Sequence, residues 1–160
     1  MRSIRKKLED GAGILCKALL PIKQEYYFGS GKFDAICTLS STDLLESIST
    51  SSLMEKVLIA GRLLSENKGI DAIINFAMNY PELRRIIVCG KEVKGHKAGQ
   101  ALVALARNGV NLQGEIIGAS GPNPVITQPK GNVEIFRNQV QIIDLIGKVD
   151  FMEISRILVT

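Results

Sequence analysis

Arg85-Ile86-Ile87-Val88-Cys89-Gly90-Lys91-Glu92-Val93-Lys94-Gly95-His96-Lys97-Ala98-Gly99-Gln100 opens on an apolar, β-branched run that reads as a buried strand. It then passes through a loop flanked by glycines and enters a segment, residues 101–106, in which Leu102 and Leu105 fall on the inner face of a helix. A strand that turns through a loop into a helix is half of a βαβ unit, and loops at strand carboxyl ends are where such sheets bind ligands. The loop also carries His96, the one histidine of the chain. A neutral imidazole there can serve as a base, a pH switch or a ligand to a transition metal.

The same alternation extends to both sides. Upstream, residues 8–20 read as a helix stopped at Pro21, and residues 25–28 as a short extended piece closed by Gly29-Ser30-Gly31. Residues 35–39 read as a buried strand, Thr42 caps a helix through Ile48, and residues 57–60 form a second apolar strand ended by Gly61. Ile70, Ile73, Ile74 and Ala77 recur at helical spacing before Pro81. Downstream, Gly109 is placed to end the helix after the histidine loop. Residues 115–118 read as a strand edge leading into the irregular loop 119–124. Residues 133–138 read as helix, 140–146 as strand and 151–158 as a closing helix. Strands alternating with helices imply right-handed crossovers, so the expected fold class is α/β, Rossmann-like, with a mainly parallel sheet flanked by helices. The expected organisation is a single domain over residues 1–160. Its ligand-facing loops should be 40–42, 61–67, 90–100 and 118–123.

Composition narrows the function. With 46% hydrophobic and 22% charged residues the chain is ordinary for a globular protein. The net charge of +4 owes much to Arg2, Arg5, Lys6 and Lys7, and aromatic residues are only 5% with no tryptophan, so no nucleic-acid partner is expected. Cys16, Cys37 and Cys89 match neither a disulfide framework nor zinc-ligand spacing, which fits a reducing, cytoplasmic setting. The apolar run at 11–20 is short, is broken by Lys17 and follows Glu9-Asp10, unlike a signal peptide. No run approaches the roughly 18 apolar residues of a membrane span.

Known motifs fail one by one. Gly11-x-Gly13 has Cys16 where a dinucleotide fingerprint needs its third glycine, and residues 90–97 put His96 and Lys97 where a phosphate-binding loop needs lysine and a hydroxyl. No G-x-S-x-G elbow is present. What remains is His96 between Gly95 and Gly99, ringed by Lys91, Lys94 and Lys97, a setting that suits an anionic or amide-rich ligand or else a merely solvated loop.

Residues 87–100 resemble the corrinoid-site segment of the A subunit of tetrahydromethanopterin S-methyltransferase. The resemblance continues through 105–109, 114–119, 136–140 and 143–146, and upstream through Ala60-Gly61, Glu66-Asn67 and Gly69-Ile70. It implies a cobalamin-type (corrinoid, cobalt) cofactor that carries a methyl group from methyl-tetrahydromethanopterin toward coenzyme M, with other methyltransferase subunits as partners. By that resemblance His96 would be the axial ligand of cobalt. Lys94, Gly95, Gly99 and Gln100 would contact the corrinoid, and Gly118, Ala119, Ser120, Gly121 and Pro122 would line it. Family members continue into a C-terminal membrane-anchoring helix, whereas this sequence ends at Thr160, so the expectation is a soluble homolog or a cytoplasmic domain. Two other expectations stand beside it: a cobalamin store or chaperone without methyl transfer, and a regulatory domain binding nucleotide phosphate through the lysines around His96.

Overall fold

A computed structural model describes residues 25–158; the helix expected over residues 8–20 lies outside them. Five strands form one sheet: β1 (Tyr26–Phe28), β2 (Asp34–Cys37), β3 (Val57–Gly61), β4 (Arg85–Gly90) and β5 (Gln141–Ile146). Their order is β1-β3-β2-β4-β5. All neighbours are parallel except β1, which runs antiparallel to β3 at one edge. This is the expected α/β class. Five helices join the strands: α1 (Thr42–Ser49), α2 (Lys68–Asn79), α3 (Ala98–Asn108), α4 (Lys130–Gln139) and α5 (Phe151–Ile157).

Period-two alternation in the central strands feeds two cores. Ala35, Cys37, Ile86 and Val88 face α2, α3 and α4 through Ile70, Ile74, Leu102, Leu105 and Phe136. Ile36, Ile87 and Cys89 face α1 and α5 through Leu44, Ile48 and Ile154. Because both faces are covered, β2 and β4 are continuous apolar runs rather than alternating ones. Each fully buried Ile or Leu contributes about 1.5–3 kcal/mol relative to exposure. The register of the central pair is fixed at its start, where Asp34 lies opposite Arg85 and accepts from its Nε and Nη2 at 2.6 and 2.9 Å.

The chain moves from β2 to β3 on one side and then crosses back to β4 on the other. The helix after β2 packs on one face and the helix after β4 on the opposite face. The connections therefore diverge above β2 and β4, which opens a crevice at their carboxyl ends.

Several expected boundaries move. Residues 115–118 do not join the sheet: Ile116 and Glu115 make isolated antiparallel bridges, to Val110 and Val125, within an excursion between α3 and α4. Asn111 organises that excursion by accepting from the N–H groups of Gln113 and Glu115 through its side chain, a local hydrogen-bonded turn that competes with strand pairing. α4 starts at Lys130, just after Pro129, rather than at Val133. β2 ends at Cys37, because Leu39 turns into a left-handed conformation with its side chain fully buried.

Candidate functional site

Three loops meet over the carboxyl ends of β3, β2 and β4. The first leaves β4, and its start is tied down: Ser41 Oγ accepts from Lys91 N–H at 2.8 Å, while Ser40 Oγ donates to the Lys91 carbonyl at 2.8 Å. The next residue, Glu92, folds its carboxylate over the start of α3, accepting from the N–H groups of Val93, Gly99 and Gln100 at 2.8, 3.0 and 2.8 Å. A carboxylate at a helix N-terminus satisfies otherwise unpaired amides and complements the helix dipole. This is why α3 begins at Ala98, three residues before the apolar pattern sets in, although its cap residue Lys97 supplies no side-chain bond. With both ends held, residues 93–96 form a tight turn that displays His96 with its side chain about half exposed (52%).

The second loop follows β3 and carries Glu66, whose side chain is 1% exposed. One carboxylate oxygen lies 2.8 Å from His96 Nδ1, and the other accepts from the Asn123 N–H at 3.0 Å. Burial alone would push this carboxyl group up. Its own main-chain N–H, the Asn123 N–H and His96 outweigh that effect and hold it below the usual 4.5. An ionised carboxylate only accepts, so Nδ1 carries the hydrogen, and in the neutral ring Nε2 keeps its lone pair. Among the described residues Nε2 has no hydrogen-bond partner. A carboxylate beneath an imidazole in this way fixes tautomer and ring orientation, as it does for metal-bound histidines.

The third loop, 118–123, is clamped from two directions. Asn67 Nδ2 donates to the Asn123 carbonyl at 3.3 Å, so Glu66 and Asn67 together hold both main-chain groups of Asn123. Gln100 donates from Nε2 to the Gly118 carbonyl at 2.8 Å and accepts at Oε1 from the N–H and hydroxyl of Ser120. Gly121 lies where the three loops touch: a Cβ there would sit 2.3 Å from the His96 carbonyl oxygen and 3.1 Å from Glu66 Cγ. No side chain fits at that point without moving the histidine loop.

The residues singled out by sequence thus fall into two groups. His96, Lys94, Gly95, Gly118, Ser120 and Pro122 are exposed around one surface. Gly95 has φ +86 and open space beside it, a backbone setting that favours glycine whatever the room. Gln100, Gly99, Gly121 and Ala119 instead hold that surface together. Gly99 is buried, and a Cβ there would press on Leu39 and Glu92. Ala119 packs against the core. Glu66, Glu92 and Asn123 carry the site's architecture without having been singled out from sequence. Glu66 had one available signal, as an acidic residue on a loop that leaves a parallel strand beside the crevice.

The donor set is narrow. Among the described residues no three His, Cys, Asp or Glu side chains cluster to hold a metal ion. Burial pushes the Cys37 and Cys89 thiols up to about 12, so neither is a ready thiolate. A single imidazole suits a metal whose remaining ligands come from a macrocycle. A phosphate is poorly served, because the first amides of α3 that would cradle it are already taken by Glu92.

A family model for the A subunit of tetrahydromethanopterin S-methyltransferase matches residues 19–159. The chain belongs to this family. It is 44% identical over 94 residues to the A 2 subunit of tetrahydromethanopterin S-methyltransferase from Methanothermobacter thermautotrophicus, which spans 58% of this chain and 51% of that protein. It is 41% identical over 100 residues to the A subunit of the Methanocaldococcus jannaschii enzyme, across 61% of this chain and 42% of that one. With the A 1 subunit from Methanothermobacter thermautotrophicus it shares 37% identity over 114 residues, 70% of this chain and 48% of the other. The chain therefore spans about half the length of these A-subunit relatives. No described helix is long and apolar enough to cross a membrane.

Proposed function

We propose that this member of the A-subunit family binds a corrinoid, that His96 would hold its cobalt through Nε2, and that the protein carries a methyl group between methyl-tetrahydromethanopterin and coenzyme M in concert with partner subunits. The observation that carries the reading is the pairing of His96 Nδ1 with the buried carboxylate of Glu66 at 2.8 Å, which leaves Nε2 without a partner on an exposed loop. When bound, the corrinoid supplies a cobalt centre that takes up and releases methyl groups. The chain's own residues bind and orient. Glu66 holds the Nδ1 hydrogen and sets the plane of the ring. Gly95, Gly118, Ser120 and Pro122 line the approach, with Lys94 beside them, and Gly121 lets their loop close against the histidine loop. Gly99, Gln100 and Ala119 keep the loops in register.

Titration of the protein with hydroxocobalamin, read by absorbance, tests this. A stoichiometric complex whose spectrum depends on the imidazole is expected, and His96→Ala should abolish that dependence while lowering stability by about 1–3 kcal/mol, since the buried Glu66 carboxylate loses a partner. A His96→Ala spectrum identical to the wild-type complex would remove His96 as ligand. Methyl transfer from methyl-tetrahydromethanopterin by the loaded protein with partner subunits separates a methyl carrier from a protein that only stores the cofactor.

A further inference from the structure

The outer edge of the sheet carries a second site, formed by none of the residues described around His96. β5 is an edge strand with no strand partner on its outer side among the described residues. Gln141 N–H donates to the Arg84 carbonyl and Gly147 N–H to the Gly90 carbonyl, both at 2.8 Å, so odd-numbered residues turn their main chain toward β4. Alternation turns the main-chain groups of Ile142, Asp144 and Ile146 outward. Among the described residues, only the Ile146 N–H of these groups has a hydrogen-bond partner, Asp144 Oδ1 at 3.1 Å. The strand, Gln-Ile-Ile-Asp-Leu-Ile, lacks the lysine, proline or bulge by which edges usually repel pairing.

Beside this edge a cavity of about 660 Å³ opens among the amino ends of β4 and β5 and the last turns of α3 and α4. Its lining includes Arg84, Arg85, Arg107 and Arg137 and one acidic residue, Asp144. Arg85 is committed to Asp34 and Arg137 to Glu134. Arg84 donates to the carbonyls of Pro81 and Leu83, and neither it nor Arg107 has a carboxylate partner among the described residues. Guanidinium forks of this kind recognise carboxylates.

We propose that β5 and this cavity receive an extended, acidic segment of a partner protein, which adds to the sheet as a further strand and places a carboxylate side chain between Arg84 and Arg107. Main-chain pairing would supply affinity and the arginines specificity. The segment would run along the outer edge of β5, with its carboxylate in the cavity at the strand amino ends.

The test needs no cofactor. A blocked octapeptide alternating valine and glutamate is titrated into the full chain, followed by amide chemical shifts. Saturable shifts centred on Ile142 and Asp144 are expected. Affinity should fall about tenfold or more in the double variant Arg84→Gln, Arg107→Gln, in a peptide with lysine for glutamate, and in one N-methylated at alternate amides. Equal binding by the lysine peptide, or by the N-methylated one, would overturn the proposal by showing that charge or strand addition is not at work. So would absence of shifts at millimolar peptide, or a peptide-independent dimer paired through β5.

Discussion

The two ends of the sheet are held by different means. At the strand amino ends, ties run between elements that are already packed: Asp34 meets Arg85 across two central strands, and Gln139 Nε2 reaches the carbonyls of Ala77, Tyr80 and Leu83. Leu83, in the middle of that junction, is fully buried. At the carboxyl ends, loops are held chiefly by side-chain oxygens and amides, with small residues such as Gly99, Ala119 and Gly121 where they touch. One end closes the sheet; the other displays an imidazole. Residues of the core and the amino ends should therefore govern stability, and residues above the carboxyl ends should govern ligand binding.

The strongest challenge to that division is Leu102→Ala. Leu102 is fully buried between α3 and the sheet, and its truncation should cost about 2–5 kcal/mol by urea denaturation. The loss should come with little change in corrinoid affinity per folded molecule. A drop in affinity to match would show that the two ends are not independent.

Glu66→Gln reverses the pattern. The two acceptor oxygens of Glu66 serve two donors, Nδ1–H of His96 and the Asn123 N–H, whereas glutamine has one acceptor oxygen. Loss of such a supporting carboxylate typically weakens a metal site about 10–100-fold, read here by titration with hydroxocobalamin. The sign of the pH effect follows from the lowered carboxyl value. Glu66 contributes fully above its unfolded value, near 4.5, and the contribution fades as pH falls through the lower folded value. The part of the stability difference between wild type and Glu66→Gln that comes from ionisation of Glu66 should be lost only in acid, below the usual carboxylate value. A wild-type protein that keeps this advantage undiminished through acid, by urea denaturation across about pH 2 to 5, would count against the assignment.

Glu92→Ala sharpens the comparison from within the display end. Its carboxylate takes two of the first amides of α3, so removal should cost about 0.5–2 kcal/mol and raise hydrogen exchange at Gly99 and Gln100. The smallest effect belongs to Lys94→Ala. Lys94 is exposed, and its loss should leave stability within about 0.5 kcal/mol in thermal melts.

Much of this organisation is legible in the chain. β4 carries a strong pattern because both of its faces are buried, and α2 because it buries one stripe at helical spacing, and the strand-helix alternation leads to a parallel sheet. The start of α3 is not legible, because its first amides are satisfied by Glu92, six positions before Ala98 and brought there by a turn. Residues 115–118 read as a strand edge because Ile116 and Ile117 are β-branched, but Asn111 takes the local hydrogen bonds first. The role of Gln100 is hidden because an amide side chain can face a ligand or a neighbouring loop equally well, and only the position of Gly118 and Ser120 decides.

By itself the sequence determined the α/β class and that His96 stands on a glycine-bearing loop after a buried strand, since local periodicity and turn chemistry are written residue by residue. Only the tertiary structure decided that Glu66 lies beneath that ring. The two are thirty positions apart and meet because β3 and β4 flank β2, so their loops converge over its end. Strand order of this kind is fixed by how helices share the two faces of the sheet, a collective packing outcome that no local pattern records.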